Sequence, residues 1–251
     1  MCRMMGVVSR DAVPYELFPA FADLASRGMC PVGSPDERGH KDGWGLACFH
    51  GGDLQVYMRD VGSAVEAARF FQTASKIADL RPQTSPAEGL VVLGHVRRAS
   101  EKSRIGQRWS HPFVVERDGT TWAFQHNGSF AKELPDPDRI DSQILFEWIL
   151  AGLEGAAHED VSRAAAAARS RTLKEAGGFS SLNFLLTDGM ALHVYRDFQT
   201  NGEYYTLFRG RVGDMVLAAS EPIFGMRGGP LPRGVLHTIT PDLEVASTVI
   251  A

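Results

Sequence analysis

The chain has 251 residues, 44% hydrophobic and 22% charged, with a formal net charge of −4 at neutral pH. That is enough chain for one large domain or two small ones around a buried core, and the composition is that of a soluble globular protein. The slightly acidic balance, without a basic run, gives no footprint for nucleic acid or an anionic membrane, and no apolar stretch approaches the roughly 18 residues that span a bilayer.

The first thirty residues lack the basic start and apolar core of a secretory signal. Cys2, Cys30 and Cys48 are odd in number and without metal-type spacing, so neither a disulfide scaffold nor a structural zinc site is expected. A reducing cytoplasm, with no cofactor or metal, is the expectation.

From Met4 the apolar, β-branched opening reads as a strand preceded by Cys2. Initiator methionine is usually removed before a small residue, which would leave Cys2 at the chain terminus. A terminal cysteine carries a thiol and a free α-amine on one residue. The amine's reference pKa of about 7.7–8.0 leaves part of it unprotonated and able to act as base at neutral pH. Position alone does not separate this from an incidental cysteine.

Residues 15–27 carry helical spacing, closed near Gly28, and 30–39 are turn-rich. Two glycines bracket Trp44 and imply a close backbone approach at the entry to a strand. Gly51-Gly52-Asp53 turns a hairpin into a return strand over 54–59. A helical pattern over 63–80 is followed by a loop with two prolines.

Leu90 to Val96 is the central strand, and Arg97 at its end can hold a carboxylate through its guanidinium fork. His95 reads as a core or supporting residue. Arg98, Lys102, Arg104 and Arg108 are either solvated or face an anionic co-substrate. Trp122–Phe124 lead into Gln125-His126-Asn127-Gly128. An asparagine amide and the next glycine N–H are the two donors an oxyanion hole needs, although Asn-Gly is also the commonest hairpin dipeptide.

Helices are expected over 139–151 and 159–176, the second ended by Gly177-Gly178. Asp141 either caps the first of them or points its carboxylate at a ligand ammonium. The remainder reads as β: 179–186, 191–195, 204–208, 215–219 and two strands near 234–239 and 243–249, with a turn at Ser220-Glu221-Pro222. No repeat or linker divides the chain, so a single domain over 1–251 is expected.

Six pieces in this order resemble the class-II glutamine amidotransferases. They are Cys2, Asp-Gly-Trp-Gly (42–45), Gly-His-Val-Arg-Arg-Ala-Ser (94–100), Ser-His-Pro-Phe (110–113), His-Asn-Gly (126–128) and the Asp141 helix. The nearest likeness is to a stand-alone, single-domain branch that includes a γ-glutamyl hydrolase of ergothioneine biosynthesis.

The resemblance implies an α+β fold, a four-layer αββα sandwich of the N-terminal nucleophile hydrolase type. It also implies that the Cys2 thiolate attacks the γ-carbonyl of glutamine or a γ-glutamyl compound, with its own α-amine as base. Asn127 and Gly128 would stabilise the oxyanion, Arg97 would bind the α-carboxylate and Asp141 the α-ammonium. Ser100 would assist, and His126 is counted with the substrate-binding residues. No segment reads as the synthase that larger members carry. A separate synthase subunit that consumes the ammonia, self-association, and a non-catalytic glutamine or γ-glutamyl sensor are the alternatives. Where relatives carry Arg-Gly near the nucleophile this chain has Gly39-His40, which suggests a local role for His40 near the Cys2 amine. The loops 28–43 and 100–110 are candidate lids.

Overall fold

Mostly apolar residues on both faces of Arg3–Ser9 make a strand that is buried at every position. Such a strand has to lie inside a sheet that is itself covered on both sides. The computed structural model describes residues 2–30, 39–82, 88–132, 134, 136 and 138–251. Met1, the middle of the 30–39 loop and most of the proline loop before Leu90 lie outside the described residues.

In chain order the first elements are β1 (Arg3–Ser9), α1 (Leu17–Ala22), α2 (Leu24–Arg27), β2 (Gly43–His50), β3 (Asp53–Asp60), α3 (Ala68–Ala78) and β4 (Leu90–Arg97). Then come β5 (Phe113–Arg117), β6 (Thr120–Asn127), α4 (Asp141–Gly152), α5 (His158–Glu175), β7 (Asn183–Thr187) and β8 (Leu192–Arg196). The chain closes with β9 (Phe208–Val212), β10 (Met215–Ala219), β11 (Arg227–Pro230), β12 (Val235–Ile239) and β13 (Val245–Val249).

One sheet has the order β11-β9-β10-β1-β4-β2-β3 and the other β13-β12-β8-β7-β6-β5. Every pairing is antiparallel. Three apolar layers follow from strand alternation. Met5, Val7, Val92 and Val96 pack on Phe18, Phe21 and Phe70 of α1 and α3. Met4, Val8, Val91 and Leu93 meet Ala123, Leu185 and Val194 between the sheets. Phe124, Phe184 and Tyr195 pack under Phe146, Ile149 and Val161 of α4 and α5. The result is the four-layer αββα sandwich.

Several expected boundaries shift. The helix over 15–27 is two segments, with Asp23 between them still helical at φ −58° and ψ −25°. The helix expected over 63–80 begins only at Ala68, because Ala67 is extended and Val65, counted in its apolar stripe, is 40% exposed. The strand expected at 204–208 starts at Phe208. Tyr204 and Tyr205 are instead held by side-chain contacts, one under Arg3 and the other through its hydroxyl to Ser180. Asn183 likewise replaces Phe179 as the start of β7. The edge strand β11, Arg-Gly-Gly-Pro, has the composition of a turn and gave no strand signal.

Candidate active site

Alternation along three strands brings the site together. On β1, Met4 and Val8 face the second sheet while Met5 and Val7 face the helices, so Cys2 continues the row that faces the second sheet. On β4, Val91 and Leu93 share that face, and His95 and Arg97 continue it. The register Arg3↔Val96 places Cys2 beside Arg97. On β6, Ala123 faces between the sheets, so Gln125 and Asn127 do as well, and Gln125 Nε2 donates to the Met5 carbonyl at 2.8 Å. The strand-end residues singled out by sequence therefore converge from two sheets.

Cys2 N donates to Asn127 Oδ1 at 2.9 Å, and Cys2 Sγ lies 3.9 Å from the Arg98 carbonyl. Burial raises the Cys2 thiol, but the positive chain terminus, His95 and Arg97 outweigh it and bring the pKa down to about 5. These charges favour the thiolate over the thiol at neutral pH. A Cβ at Gly128 would lie 1.8 Å from the Ser181 carbonyl oxygen, so any other residue there forces the backbone to shift. Gly45 is under the same constraint, its Cβ position being 2.1 Å from the His111 carbonyl oxygen.

Cys2, Arg97, Ser100, His126, Gly128 and Asp141 all line one cleft, and Asn127 is buried behind it. Arg97 is buried, with Nη1 donating to the Arg104 carbonyl at 2.8 Å. Asp42 braces this strand end: its N–H donates to the Arg97 carbonyl at 2.9 Å and its Oδ2 accepts from Ala99 N at 2.8 Å. Asp141 opens α4. Its Oδ2 accepts from Phe130 N at 3.1 Å and its Oδ1 from Ser142 N at 2.8 Å, so it serves the local backbone while facing the cleft.

His126 Nε2 is 3.2 Å from the Ser181 carbonyl and Nδ1 is 2.9 Å from Ser142 Oγ. Only a donor satisfies a carbonyl, which assigns the proton to Nε2 and makes Nδ1 the acceptor of the Ser142 hydroxyl. Burial lowers the His126 pKa, although Asp141 opposes this. His40 bonds the Met29 carbonyl at 3.3 Å, a carbonyl also taken by Arg3.

Further residues line the cleft, among them Arg98 and Arg104 of the arginine-rich stretch and His111 of Ser-His-Pro-Phe, whereas Lys132, Arg139 and Arg3 were not singled out in the sequence. His111 lines the cleft and packs its ring 4.2 Å from that of His95. Burial, then His95, pushes it well below the ordinary histidine value, so it is neutral. Arg98, Arg104, Lys132 and Arg139 add positive charge to the lining, against Glu101 and Asp141. Arg3, next to Cys2, is a buried cation with its guanidinium 4.2 Å over the Tyr204 ring. Among the described residues no His, Cys, Asp and Glu cluster could hold a metal ion, and no helix is long and apolar enough to cross a membrane.

The family model for class-II glutamine amidotransferases matches residues 1–210. The chain belongs to that family. YafJ of Escherichia coli strain K12, named as a candidate glutamine amidotransferase, is 27% identical over 207 residues, covering 78% of this chain and 72% of that one. Among solved structures, a glutamine aminotransferase class-II domain protein of Silicibacter pomeroyi is 20% identical, covers 100% of both chains and has a TM-score of 0.57. The glutamine phosphoribosylpyrophosphate amidotransferase of Bacillus subtilis is 14% identical with a TM-score of 0.63. It matches all of this chain, which spans only 49% of that enzyme's length. The two solved structures speak to the fold, which they share with this amidotransferase domain.

Proposed function

We propose that the chain hydrolyses the γ-amide of glutamine or of a γ-glutamyl compound through a thioester on Cys2. The observation that carries the reading is a buried thiol with its pKa lowered to about 5, facing a cleft that Arg97 and Asp141 also line. Removal of Met1 would turn the Cys2 nitrogen into a free amine, held by the same Asn127 Oδ1. Thiolate and ammonium then form the resting pair. The thiolate attacks the γ-carbon, and the oxyanion is met by the Asn127 amide and the Gly128 N–H. On collapse the C–N bond breaks and the leaving amine takes its proton from the Cys2 ammonium. Water, deprotonated by the now neutral amine, attacks the thioester to release the γ-carboxylate and regenerate the thiolate.

Arg97 pairs with the α-carboxylate and Asp141 with the α-ammonium, with Ser100 and His126 completing the wall. Of the further cations of the outer cleft, Arg104 pairs with Glu101 and Arg139 with Asp136 and Glu147, so their charge is largely compensated within the chain. The Bacillus subtilis amidotransferase has roughly as much chain again beyond its match to this one, which keeps ammonia donation to a separate synthase as the second reading.

Intact mass before and after treatment with diazo-oxo-norleucine, a glutamine-mimicking electrophile, tests the proposal. Loss of Met1 and one adduct, absent in Cys2→Ala, is the expected result. Retention of Met1, or no adduct in the isolated chain, would overturn it in favour of a partner-dependent or sensing role.

A further inference from the structure

Between the β9–β11 edge of the first sheet and the β12–β13 edge of the second lies a cavity that shares no lining residue with the Cys2 cleft. Arg209 and Arg211, two apart on β9, point to one face. Arg227 on β11 sits directly opposite Arg211, and Val216 on β10 faces Arg211 from the other side. Val216 belongs to the apolar layer between the sheets, so all three guanidiniums stand at the rim of that layer.

Like charges directly opposite on neighbouring strands destabilise a sheet. Among the described residues none of the three arginines has a carboxylate partner, and no Asp or Glu lines the cavity. The partners they do have are weak compensation for charge: Arg211 donates to the Leu243 carbonyl at 2.8 Å, and Arg209 Nη1 is 3.4 Å from His237 Nδ1.

His237 supplies the second observation. It is only 5% exposed, it lines the same cavity, and its Nε2 has no hydrogen-bond partner. Its Nδ1 lies 2.7 Å from Ser247 Oγ as well as facing Arg209. A guanidinium can only donate, so Nδ1 is the acceptor and the proton sits on Nε2. Burial, then Arg209, lowers the ring to about 4, which keeps it in that neutral form. The side chains of the cavity thus offer three guanidiniums and an orphaned N–H, over an apolar floor of Val216, Leu231 and Val245.

We propose that this cavity is a binding site for a small oxyanion of the phosphate class, separate from the Cys2 cleft. A guanidinium fork takes two oxygens at once, and a doubly charged tetrahedral group can bridge Arg211 and Arg227 while accepting from His237 Nε2. Occupancy removes the opposed charges on β9 and β11 and satisfies the buried N–H.

Thermal unfolding and calorimetric titration of the full chain with pyrophosphate, against sodium chloride of equal ionic strength, make the test. A saturable rise in Tm with pyrophosphate alone is expected. Arg211→Gln/Arg227→Gln, two exposed positions, should weaken binding about tenfold or more, whereas Arg163→Gln on α5 should leave it unchanged. Far-UV circular dichroism confirms that the double variant folds. Equal shifts with chloride, full binding in the double variant, or binding of citrate without pyrophosphate would each overturn the proposal.

Discussion

Arg3 Nε lies 2.7 Å from Glu221 Oε1, an ion pair that ties the first strand to the turn after β10, immediately beside Cys2. The same guanidinium donates to the Cys2 carbonyl at 3.2 Å, and Glu221 Oε1 also accepts from Met29 N at 2.7 Å. The Cys2 backbone is thereby held at its carbonyl by Arg3 and at its nitrogen by Asn127. Removing Glu221 leaves a buried charge without its counterion, but Glu221 is 21% exposed and water can partly replace it. Glu221→Ala should therefore cost about 2–4 kcal/mol in urea unfolding, below the full penalty for breaking a buried pair, and should slow Cys2 alkylation. If Arg3→Met and Glu221→Ala prove additive in the double variant, the two residues are not coupled and the argument fails.

The pH dependence follows from the Cys2 thiol, which falls from an ordinary 9.0 to about 5. Alkylation of Cys2 by iodoacetamide, mapped by peptide mass to separate it from partly exposed Cys30, should rise with a midpoint near 5. The linkage has a definite sign. A folded-state pKa below the unfolded one adds stability that is complete above the unfolded value, declines as pH falls, and is gone below about 5. The slope of stability against pH between these limits should flatten in Cys2→Ala. A Cys2 alkylation midpoint near that of a free thiol would contradict the balance of charges around the sulfur.

The proposed clamp of Arg97 and Asp141 on a zwitterion makes a separate prediction about binding. Asp141→Asn keeps an oxygen for the Phe130 or Ser142 N–H but loses the charge, so the fold should survive. With a γ-glutamyl substrate, KM should rise by a factor equivalent to about 2–5 kcal/mol, with a smaller change in kcat. Arg97→Lys should also raise KM, because an ammonium cannot hold a carboxylate bidentately. Were kcat to fall with KM unchanged in either variant, the pair would not be a ground-state substrate clamp.

The part of the site written at strand ends was legible in the sequence. Arg97, Asn127 and Gly128 each follow an apolar run and Cys2 precedes one, and strand alternation alone sets which way they point. The braces were not legible. Arg3 and Glu221 lie at opposite ends of the chain, and nothing local distinguishes a buried arginine from a solvated one. Asp197, fully buried and 2.8 Å from both Arg169 on α5 and Arg233 before β12, is hidden for the same reason. The strand at Tyr204 was misplaced because aromatic burial in a loop and in a sheet leave the same composition. The β11 edge was missed because Arg-Gly-Gly-Pro carries no alternation to read.

Gly128 and Asn127 separate packing from chemistry within one turn. A methyl group on Gly128 would lie 1.8 Å from the Ser181 carbonyl oxygen and 2.9 Å from His126 Nε2, so part of the backbone between β6 and β7 has to move. Gly128→Ala should thus lose about 2–4 kcal/mol of stability and also fail to form the diazo-oxo-norleucine adduct. Asn127→Ala removes the acceptor that holds Cys2 N and the proposed amide donor to the oxyanion, without adding bulk. It should keep most of its stability while adduct formation falls about 10²–10³-fold, the usual loss for one oxyanion donor. The two variants are compared by melting temperature and by adduct mass against time. Wild-type labelling in a folded Asn127→Ala protein would remove Asn127 from the oxyanion hole and leave it only the task of positioning Cys2.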